Sequence, residues 1–268
     1  MATENKRRFA VVTGASSGIG FELARQCLAH DFDVLVCAED ASVDSLPSQL
    51  GTATGSVIPV RADLATQEGV EELYAAIRSH RRPVDALLLN AGVGVGGEFI
   101  KTDLSSEARM IALNCGHTVH LAKRVVPEMV ARGQGRILIT GSVVSTAPNP
   151  YQAVYGATKA FVMSFGEALR YELKDTGVTV TVLQPGATDT NFFERADLLD
   201  TKVGQEEKDD PALVAKQGFK AMMDGKDSVL GGSVKSRASG LMNEILPETV
   251  KAAQAGKTTK PGSAKPKH

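Results

Sequence analysis

The sequence predicts an α/β fold built on a doubly wound, mainly seven-stranded parallel sheet with helices on both faces. Three observations predict it: short apolar runs recur along the 268 residues, longer helix-like segments separate them, and a glycine-rich turn follows the first run. Alternation of this kind places parallel strands in the centre and helices on either side. The chain is also long enough to bury one substantial core.

The predicted strands are seven runs of three to six residues, bounded by Gly, Pro or Asp. Runs this short and this rich in Val, Ile and Leu are typical of strands that are buried on both faces. In chain order they are FAVV (9–12), VLVCA (34–38), VIPV (57–60), ALLL (86–89), ILIT (137–140), VTVTVL (178–183) and SVL (228–230). The helices predicted between them cover Phe21–Leu28, Glu68–Ser79, Ala108–Arg132, Ala153–Leu173 and Pro211–Met223.

Composition and charge argue against several classes of partner. Of the residues, 43% are hydrophobic and 23% are charged, and the net charge is −1. This balance gives no electrostatic reason to expect nucleic acid or an anionic membrane. No run approaches the roughly 18 apolar residues that span a bilayer. We therefore expect a small-molecule partner, with no nucleic acid and no membrane.

The cysteines and the C-terminus bear on compartment and domain organisation. The three cysteines lack CxxC spacing, so neither a disulfide framework nor a zinc site is indicated, and a cytoplasmic location is expected. No long linker or repeat interrupts residues 1–250, which we predict to form a single domain. Residues 251–268 hold five lysines, two prolines and no acid, and this basic tail is predicted to be disordered.

The segment TGASSGIG, Thr13–Gly20, follows the first predicted strand and opens the first predicted helix. A helix N-terminus presents unpaired N–H groups and the positive end of the helix dipole, and glycine lets the backbone approach a pyrophosphate. A glycine cluster alone is weak evidence, because helix-opening turns need glycine as well. The order of strand, turn, helix and second strand favours a dinucleotide site. The turn residues predicted to bind the cofactor are Gly14, Ser16, Ser17, Gly18, Ile19 and Gly20.

The segment YGATK places Tyr155 and Lys159 four residues apart on one face of a predicted helix. A free phenol, with a pKa of about 10, is a poor acid or base at neutral pH. A nearby positive charge favours the phenolate, so we expect Lys159 to lower the pKa of Tyr155. Tyr155 is then a candidate general acid/base. Taken singly, a packed tyrosine and a solvated lysine are the plainer alternatives.

The TGxxxGxG spacing of the first turn, together with the YxxxK segment, resembles the short-chain dehydrogenase/reductase family in its compact single-domain branch. The resemblance covers roughly residues 8–195 and implies a Rossmann-type fold. It implies catalytic roles for Asn114, Ser142, Tyr155 and Lys159, of which Ser142 lies thirteen residues before Tyr155. It implies further cofactor contacts from Asp63, Leu64, Asn90, Ala91, Gly92, Tyr155, Lys159, Pro185, Gly186, Thr188 and Thr190.

The activity that the resemblance implies is reversible hydride transfer between a nicotinamide cofactor and a carbonyl or secondary alcohol. In that reaction Tyr155 acts as general acid/base, Ser142 hydrogen-bonds the substrate oxygen, and Lys159 also holds the nicotinamide ribose. Asn114 supports a water that leads from the lysine to solvent. The resemblance also implies a homodimer or homotetramer, assembled through residues 104–132 and 152–174.

Residues 191–211 form the segment that sets substrate shape in this family. Phe192, Phe193, Leu198 and Leu199 either line an apolar pocket or pack this segment against the body of the protein. A hydrophobic ketone, a steroid-like compound and an acyl thioester are all compatible with such a pocket.

The run VCAED puts Glu39 at the end of the second predicted strand, beside the adenosine ribose in a fold of this kind. A carboxylate there accepts hydrogen bonds from ribose hydroxyls and repels a 2′-phosphate. Relatives that use NADP carry a basic residue at this position or just before the second motif glycine, where this chain has Ser17. We therefore predict NAD as the preferred cofactor over NADP. The alternative is that Glu39 and Asp40 simply point to solvent.

The sequence supports two other functions and a metal site less well. A nucleotide-binding sensor or scaffold would need no turnover. Loss of the tyrosine or the lysine would indicate such a function, but this chain has both. An epimerase or dehydratase of the extended branch would carry TGxxGxxG, which this chain lacks. His117 and His120 stand three residues apart, yet no Asp, Cys or Glu completes a ligand set in that segment, so no metal is predicted.

Overall fold

A computed structural model of the chain describes residues 7–51, 55–234, 236 and 247–264. Its strands are β1 (Arg8–Thr13), β2 (Phe32–Ala38), β3 (Val57–Arg61), β4 (Ala86–Leu89), β5 (Gly135–Thr140), β6 (Val178–Pro185) and β7 (Ser228–Gly231). They form one sheet in the order β3-β2-β1-β4-β5-β6-β7, and every neighbouring pair is parallel. The predicted seven-stranded parallel sheet is confirmed, and each strand contains the apolar run that predicted it.

Helices cover both faces of the sheet. They are α1 (Gly18–Ala29), α2 (Leu46–Leu50), α3 (Gln67–Ser79), α4 (Leu104–Ile111), α5 (His117–Arg132), α6 (Ala153–Leu173), α7 (Phe192–Arg195), α8 (Lys202–Gln205), α9 (Pro211–Met223) and α10 (Glu248–Thr259). On one face α3, α5 and α6 bury core residues such as Leu73, Leu121 and Val162. On the other face α1 and α9 bury Leu23 and Val214. Because both faces are covered, β2 is buried along its whole length, which explains the uninterrupted apolar runs.

One predicted helix is divided in the structure. Residues 108–132, predicted as a single helix, contain the end of α4, a π-helical turn at Ala112–Gly116 and then α5. A π turn adds one residue to a helical turn and is frequent at functional sites, and this one contains Asn114. The helices Ala153–Leu173 and Pro211–Met223 have their predicted bounds. In the ranges described, no helix has both the length and the apolar character to cross a membrane.

The C-terminal segment is helical where the sequence predicts disorder. Lys251 is buried, and its Nζ donates to the Thr146 carbonyl (3.1 Å) and the Glu248 carboxylate (2.9 Å). Thr259 is also buried, and its Oγ1 donates to the Pro150 carbonyl at 2.7 Å. The prediction of a disordered tail at 251–268 is therefore wrong for residues 251–264, because these hydrogen bonds tie a mainly polar helix to the loop before α6. Residues 265–268 lie outside the described part.

The order of the strands places a crevice at the carboxyl ends of β1 and β4. β1 pairs with β2 on one side and with β4 on the other, so the connections from these strands run in opposite directions. In doubly wound sheets, ligands bind at such a switch point. The glycine-rich turn follows β1 and the segment Asn90–Gly92 follows β4, so both lie at this crevice.

Candidate active site

A cavity of about 280 Å³ opens at the crevice, with walls from the residues that follow β1, β4, β5 and β6 and from the start of α6. The predicted site residues that line it are Gly14, Ser16, Ser17, Gly18, Ile19, Gly20, Asn90, Ala91, Gly92, Ser142, Tyr155, Lys159, Pro185, Gly186, Thr188 and Thr190. The predicted residues Glu39, Asp63, Leu64 and Asn114 stand outside this lining. No motif marks the other lining residues, which include Val93, Gly94, Thr140, Val144, Gln152, Arg195 and Val203.

The glycine-rich turn requires glycine at two positions. Gly14 and Gly18 have φ angles of 65° and 56°, in the left-handed region that other residues avoid. A Cβ on Gly14 would stand 2.7 Å from the Ala91 Cα, so the turn packs directly on the end of β4. Ser17 is the N-cap of α1 without a side-chain cap, and the first turn of α1 contains no acid. The backbone N–H groups at this helix start are therefore suited to an anion such as a pyrophosphate.

A partly buried hydrogen-bond network fixes the turn against the segment after β4. The Asn90 side chain donates to the carbonyls of Thr13 (3.1 Å) and Gly14 (3.2 Å). The backbone N–H groups of Asn90 and Ala91 both donate to Thr13 Oγ1, each at 3.0 Å. His117 Nε2 lies 3.2 Å from the same Oγ1, and burial lowers the pKa of His117 to about 4. A neutral imidazole thus completes the network on the inner side of the cavity wall.

The two histidines considered as metal ligands have different surroundings. His117 Nδ1 bonds to the Leu113 carbonyl at 2.6 Å. His120 Nε2 lies 2.5 Å from the Glu71 carboxylate on α3. Among the residues that the structure describes, no cluster of three or more His, Cys, Asp or Glu could hold a metal ion.

Tyr155 and Lys159 lie one turn apart on α6, and both are buried. Lys159 Nζ donates to the Thr140 carbonyl (2.9 Å) and lies 5.8 Å from the centre of the Tyr155 ring. Burial raises the pKa of Tyr155 to about 12, although a hydrogen bond with Ser142 acts in the opposite direction. Burial also lowers the pKa of Lys159 to about 8. The expected decrease in the tyrosine pKa is thus not found, and the phenol keeps its proton at neutral pH.

Ser142 follows β5 and begins a 3-10 helix at Val143–Thr146. Its Oγ accepts a hydrogen bond from the Val144 N–H (3.3 Å), and its own N–H donates to Ser145 Oγ (3.2 Å). These bonds hold the Ser142 hydroxyl at the cavity beside Tyr155. Ser145 is buried, and its hydroxyl takes part in the N-terminal capping box of this 3-10 helix.

Asn114, in the π turn, braces the loop that follows β4. Its Oδ1 accepts from the Val93 N–H, and its Nδ2 donates to the Val93 carbonyl and to Thr158 Oγ1, each at 2.9 Å. Asn114 therefore connects the cavity wall at Val93 to α6, the helix that carries Tyr155 and Lys159.

The comparisons with known proteins agree with this arrangement. A family model described as short chain dehydrogenase matches residues 8–198. The chain belongs to the short-chain dehydrogenase family. The resemblance inferred from its motifs and the Rossmann-type fold are confirmed.

Two relatives and one solved structure show the extent of the similarity. An uncharacterized short-chain type dehydrogenase/reductase of Sinorhizobium fredii is 37% identical over 195 residues, which are 72% of this chain and 74% of that protein. An NADP-dependent 3-hydroxy acid dehydrogenase of Salmonella typhi is 33% identical over 178 residues, or 66% of this chain and 71% of that protein. The structure of a short-chain dehydrogenase from Sphingobium yanoikuyae in complex with NADPH is 29% identical, with a TM-score of 0.78 over 90% of this chain and 96% of that one.

In this member of the family, an arginine that the sequence did not single out occupies the corner at the ends of β2 and β3. Arg109, on α4, donates to the Glu39 carboxylate at 2.5 Å and to both carboxylate oxygens of Asp63 at 2.9 and 3.0 Å. The guanidinium holds the pKa of Asp63 below its usual value. Arg61 Nε donates to the Glu39 carbonyl at 3.0 Å. The Glu39 side chain is 55% exposed, as the solvent alternative predicts, but it is paired with Arg109 and is therefore not an isolated carboxylate. Leu64, beside Asp63, is buried in the core.

The segment after β6 closes the cavity opposite α6. The Phe192 ring lies 5.1 Å from the Tyr155 ring between centroids and lines the cavity together with Phe193. Phe193 and Leu198 form a small core of their own, while Leu199 is 48% exposed. Both alternatives for this segment therefore hold in part, because the two phenylalanines form a wall of the cavity and Leu198 packs the segment itself.

Proposed function

We propose that this dehydrogenase catalyses reversible hydride transfer between a nicotinamide cofactor and a carbonyl or secondary alcohol. The observation that carries the proposal is the convergence of Ser142, Tyr155 and Lys159 on the same cavity as the glycine-rich start of α1. An alcohol oxygen placed at the Tyr155 hydroxyl would be within reach of the Ser142 hydroxyl as well.

The donor set fits a dinucleotide. The N–H groups at the start of α1 suit the pyrophosphate, and the Lys159 ammonium suits the ribose hydroxyls of the nicotinamide half. Residues of the segments Asn90–Gly92 and Pro185–Thr190 line the same cavity and would hold the nicotinamide half. A nicotinamide cofactor bound in this way supplies or accepts the hydride.

Tyr155, Ser142 and Lys159 act in the proton transfer. In carbonyl reduction the Tyr155 hydroxyl, protonated at neutral pH because burial raises its pKa to about 12, donates a proton to the substrate oxygen. Ser142 hydrogen-bonds that oxygen and stabilises the negative charge that develops on it. The Lys159 ammonium stabilises the phenolate left on Tyr155. In alcohol oxidation the same phenolate accepts the proton.

The preference for NAD stays a prediction. Glu39 and Ser17 support it, since neither provides the basic group that a 2′-phosphate needs. Arg109 acts against it, because its guanidinium partly neutralises Glu39, and the Salmonella relative is described as NADP-dependent. Titration with NADH and NADPH, followed by nicotinamide fluorescence, decides between them. The prediction requires tighter binding of NADH, and NADPH binding that is tenfold tighter would contradict it.

A catalytically silent sensor or scaffold is the competing function. Turnover of a panel of ketones, keto esters and steroids is measured for the unmodified chain and for Tyr155→Phe, with Tyr151→Phe as the control. We expect Tyr155→Phe to reduce kcat by a factor of about 10² to 10⁴ with the affinity for nucleotide retained. Tyr151→Phe should behave like the unmodified chain. Nucleotide binding without turnover of any compound would instead support the sensor.

A further inference from the structure

Lys251 is a buried cation on α10 to which the proposed reaction assigns no role. Its side chain is 6% exposed, whereas Lys257 on the same helix is exposed. Burying a charged side chain is costly unless it is paired and hydrogen-bonded. The Lys251 Nζ donates to the Glu248 carboxylate at 2.9 Å and to the Thr146 carbonyl at 3.1 Å. Because the Glu248 side chain is 65% exposed, that pair needs no burial, and the contact with Thr146 is the one that requires the buried position.

Thr146 ends the 3-10 helix whose start holds the Ser142 hydroxyl. At that start, Ser142 and Ser145 form a capping box, in which each hydroxyl accepts a hydrogen bond from a backbone N–H. At the other end, the Thr146 carbonyl accepts the hydrogen bond from Lys251. The last carbonyls of a helix have no partner within the helix. Lys251 therefore caps the end of the short helix that Ser142 begins.

The loop between β5 and α6 (residues 141–152) is bonded to other elements at both of its ends. The Gly141 N–H donates to a carbonyl of β6 at 2.7 Å, and Thr259 on α10 donates to a carbonyl near α6 at 2.7 Å. Across the described part of the chain, the bond from Lys251 is the one hydrogen bond that joins residues 143–149 to another element. This lysine thus provides the polar contact that fixes the middle of the loop.

The position of this short helix matters because the Ser142 hydroxyl bonds to Tyr155 and lines the cavity. Val143 and Val144 line the cavity as well, whereas Lys251 does not. Any effect of Lys251 on the reaction must therefore pass through the short helix. A donor that stabilises developing negative charge is effective only while it is held at the reacting oxygen.

We propose that Lys251 is a positioning residue, which holds the Thr146 carbonyl and thereby keeps the Ser142 hydroxyl beside Tyr155. The inference rests on the proposed function and adds the C-terminal helix to the structure that supports the reaction. Without the ammonium, the short helix is free to shift at its uncapped end, and the Ser142 hydroxyl spends less time at the substrate oxygen. The loss falls on kcat and not on nucleotide binding, because Ser142 acts on charge that develops in the transition state.

The test is a double-mutant cycle that combines Lys251→Met with Ser142→Ala. Methionine keeps an unbranched side chain of similar length but cannot donate to Thr146. Lys257→Met, at an exposed lysine of the same helix, is the matched control. The kcat and KM are measured per nucleotide-binding site, so that unfolded chains do not contribute. The substrate is the carbonyl compound of the panel that is reduced fastest, and the product is quantified by mass spectrometry so that slow variants remain measurable.

We expect Lys251→Met to lower kcat by about tenfold or more when Ser142 is present, with KM and nucleotide affinity unchanged. In the Ser142→Ala background the same substitution should lower kcat by less than about twofold, since the group that Lys251 positions is absent. Lys257→Met should match the unmodified chain. Equal losses in the two backgrounds, which a general loss of structure would produce, would overturn the proposal, and so would no loss in either.

The remaining outcomes separate this inference from the proposed function. If Lys251→Met no longer binds nucleotide, Lys251→Gln takes its place in the cycle, because its amide is one bond shorter than the lysine ammonium but stays polar. If Ser142→Ala is slow and the Lys251 substitution has the same effect in both backgrounds, this inference fails alone. If Ser142→Ala is as fast as the unmodified chain, or if no carbonyl compound is reduced, the proposed function fails with it.

Discussion

At the scale of single residues, we expect the titration of Lys159 to set the pH above which activity declines. The pKa of the ammonium falls from its ordinary value to about 8 because the side chain is buried, whereas burial raises the pKa of Tyr155 to about 12. Between these values the phenol still holds its proton, but the lysine has lost its charge. The phenolate that forms on proton donation is then no longer stabilised.

Carbonyl reduction should therefore decline as the pH rises past about 8. The expected profile of kcat/KM is flat from pH 6 to 7.5 and falls on the alkaline side with an apparent pKa of about 8. The measurement is a pH series at saturating cofactor, with nucleotide affinity followed in parallel. A rate that stays constant to pH 10 would show that the charge on Lys159 does not contribute.

Arg109 is the residue whose substitution should change cofactor choice. In Arg109→Met the carboxylates of Glu39 and Asp63 lose their shared counter-ion, so that the ribose end of the site becomes negative. Two charges about 4 Å apart interact by about 1 kcal/mol in water and by more at a protein surface. NADPH binding should weaken about tenfold relative to NADH binding. Arg124→Met, which removes an arginine paired with Glu71 on the neighbouring helices, is the matched control. An unchanged ratio in Arg109→Met would mean that Arg109 does not act on the cofactor.

At the scale of elements, α10 and the residues after it connect two segments, after β5 and after β6, that both contribute residues to the cavity lining. Thr259 bonds to the Pro150 carbonyl before α6. Beyond the helix, the Ala264 and Gly262 N–H groups donate to the carbonyl and carboxylate of Asp200, before α8. These contacts link the segment that follows β5 to the segment that follows β6.

Adjacent threonines on α10 allow this role to be measured. The Thr259 hydroxyl lies within hydrogen-bond distance of the Pro150 carbonyl (2.7 Å) and of the Ala255 carbonyl (2.8 Å), whereas the Thr258 hydroxyl bonds to the Ala255 carbonyl of its own helix. Thr259→Val should lower the free energy of unfolding by about 1 kcal/mol, a decrease of about 2–4 °C in melting temperature for a chain of this size. Thr258→Val should change it much less. Equal effects in thermal unfolding would show that the bond to Pro150 contributes nothing.

Elements that depend on local apolar patterns could be predicted from the sequence, and those that depend on distant contacts could not. The strands follow from short Val- and Leu-rich runs, and α6 follows from its spacing. The π turn at Ala112–Gly116 escaped prediction because one extra residue hardly changes the helical pattern. The helix at Glu248–Thr259 could not be predicted because it is held in place by hydrogen bonds to distant residues. Lys251 bonds to Thr146 and Thr259 bonds to Pro150, each more than 100 residues away.

The same distinction applies to the site. Ser142, Tyr155 and Lys159 could be recognised from their spacing in the sequence, and the structure brings them to one cavity. Arg109 lies 70 residues from Glu39 and in no motif, so only the fold reveals the pair. The pKa of Tyr155 could not be predicted either, because its direction depends on burial, which the spacing of Tyr155 and Lys159 does not report.

At the scale of the whole molecule, the assembly into a homodimer or homotetramer stays a prediction. Exposed apolar side chains on the two long helical regions support it, including Ile111 (48% exposed) at the end of α4 and Phe161 (44%) on α6. Large apolar side chains that are exposed together on a surface often mark an interface. α10 packs against the loop before α6 and leaves these two residues exposed.

Charge placed on these helices should therefore break the assembly. The unmodified chain is expected to have the mass of a dimer or tetramer in light scattering after size exclusion, and Phe161→Glu should release smaller species. Leu213→Glu, at an apolar residue of similar exposure on α9, should leave the mass unchanged. A monomeric unmodified chain would contradict the predicted oligomer.

The central claim, that this cavity transfers hydride to a carbonyl carbon, is tested most directly by isotope transfer. The chain is incubated with a reduced nicotinamide cofactor that carries deuterium on the transferred face of C4, and with ethyl 3-oxobutanoate or another carbonyl compound that it reduces. We predict one deuterium on the carbinol carbon of the product, as measured by mass spectrometry and NMR, at a rate that Tyr155→Phe lowers by a factor of about 10² to 10⁴. A product without deuterium, or labelling that persists at the same rate in Tyr155→Phe, would contradict the account.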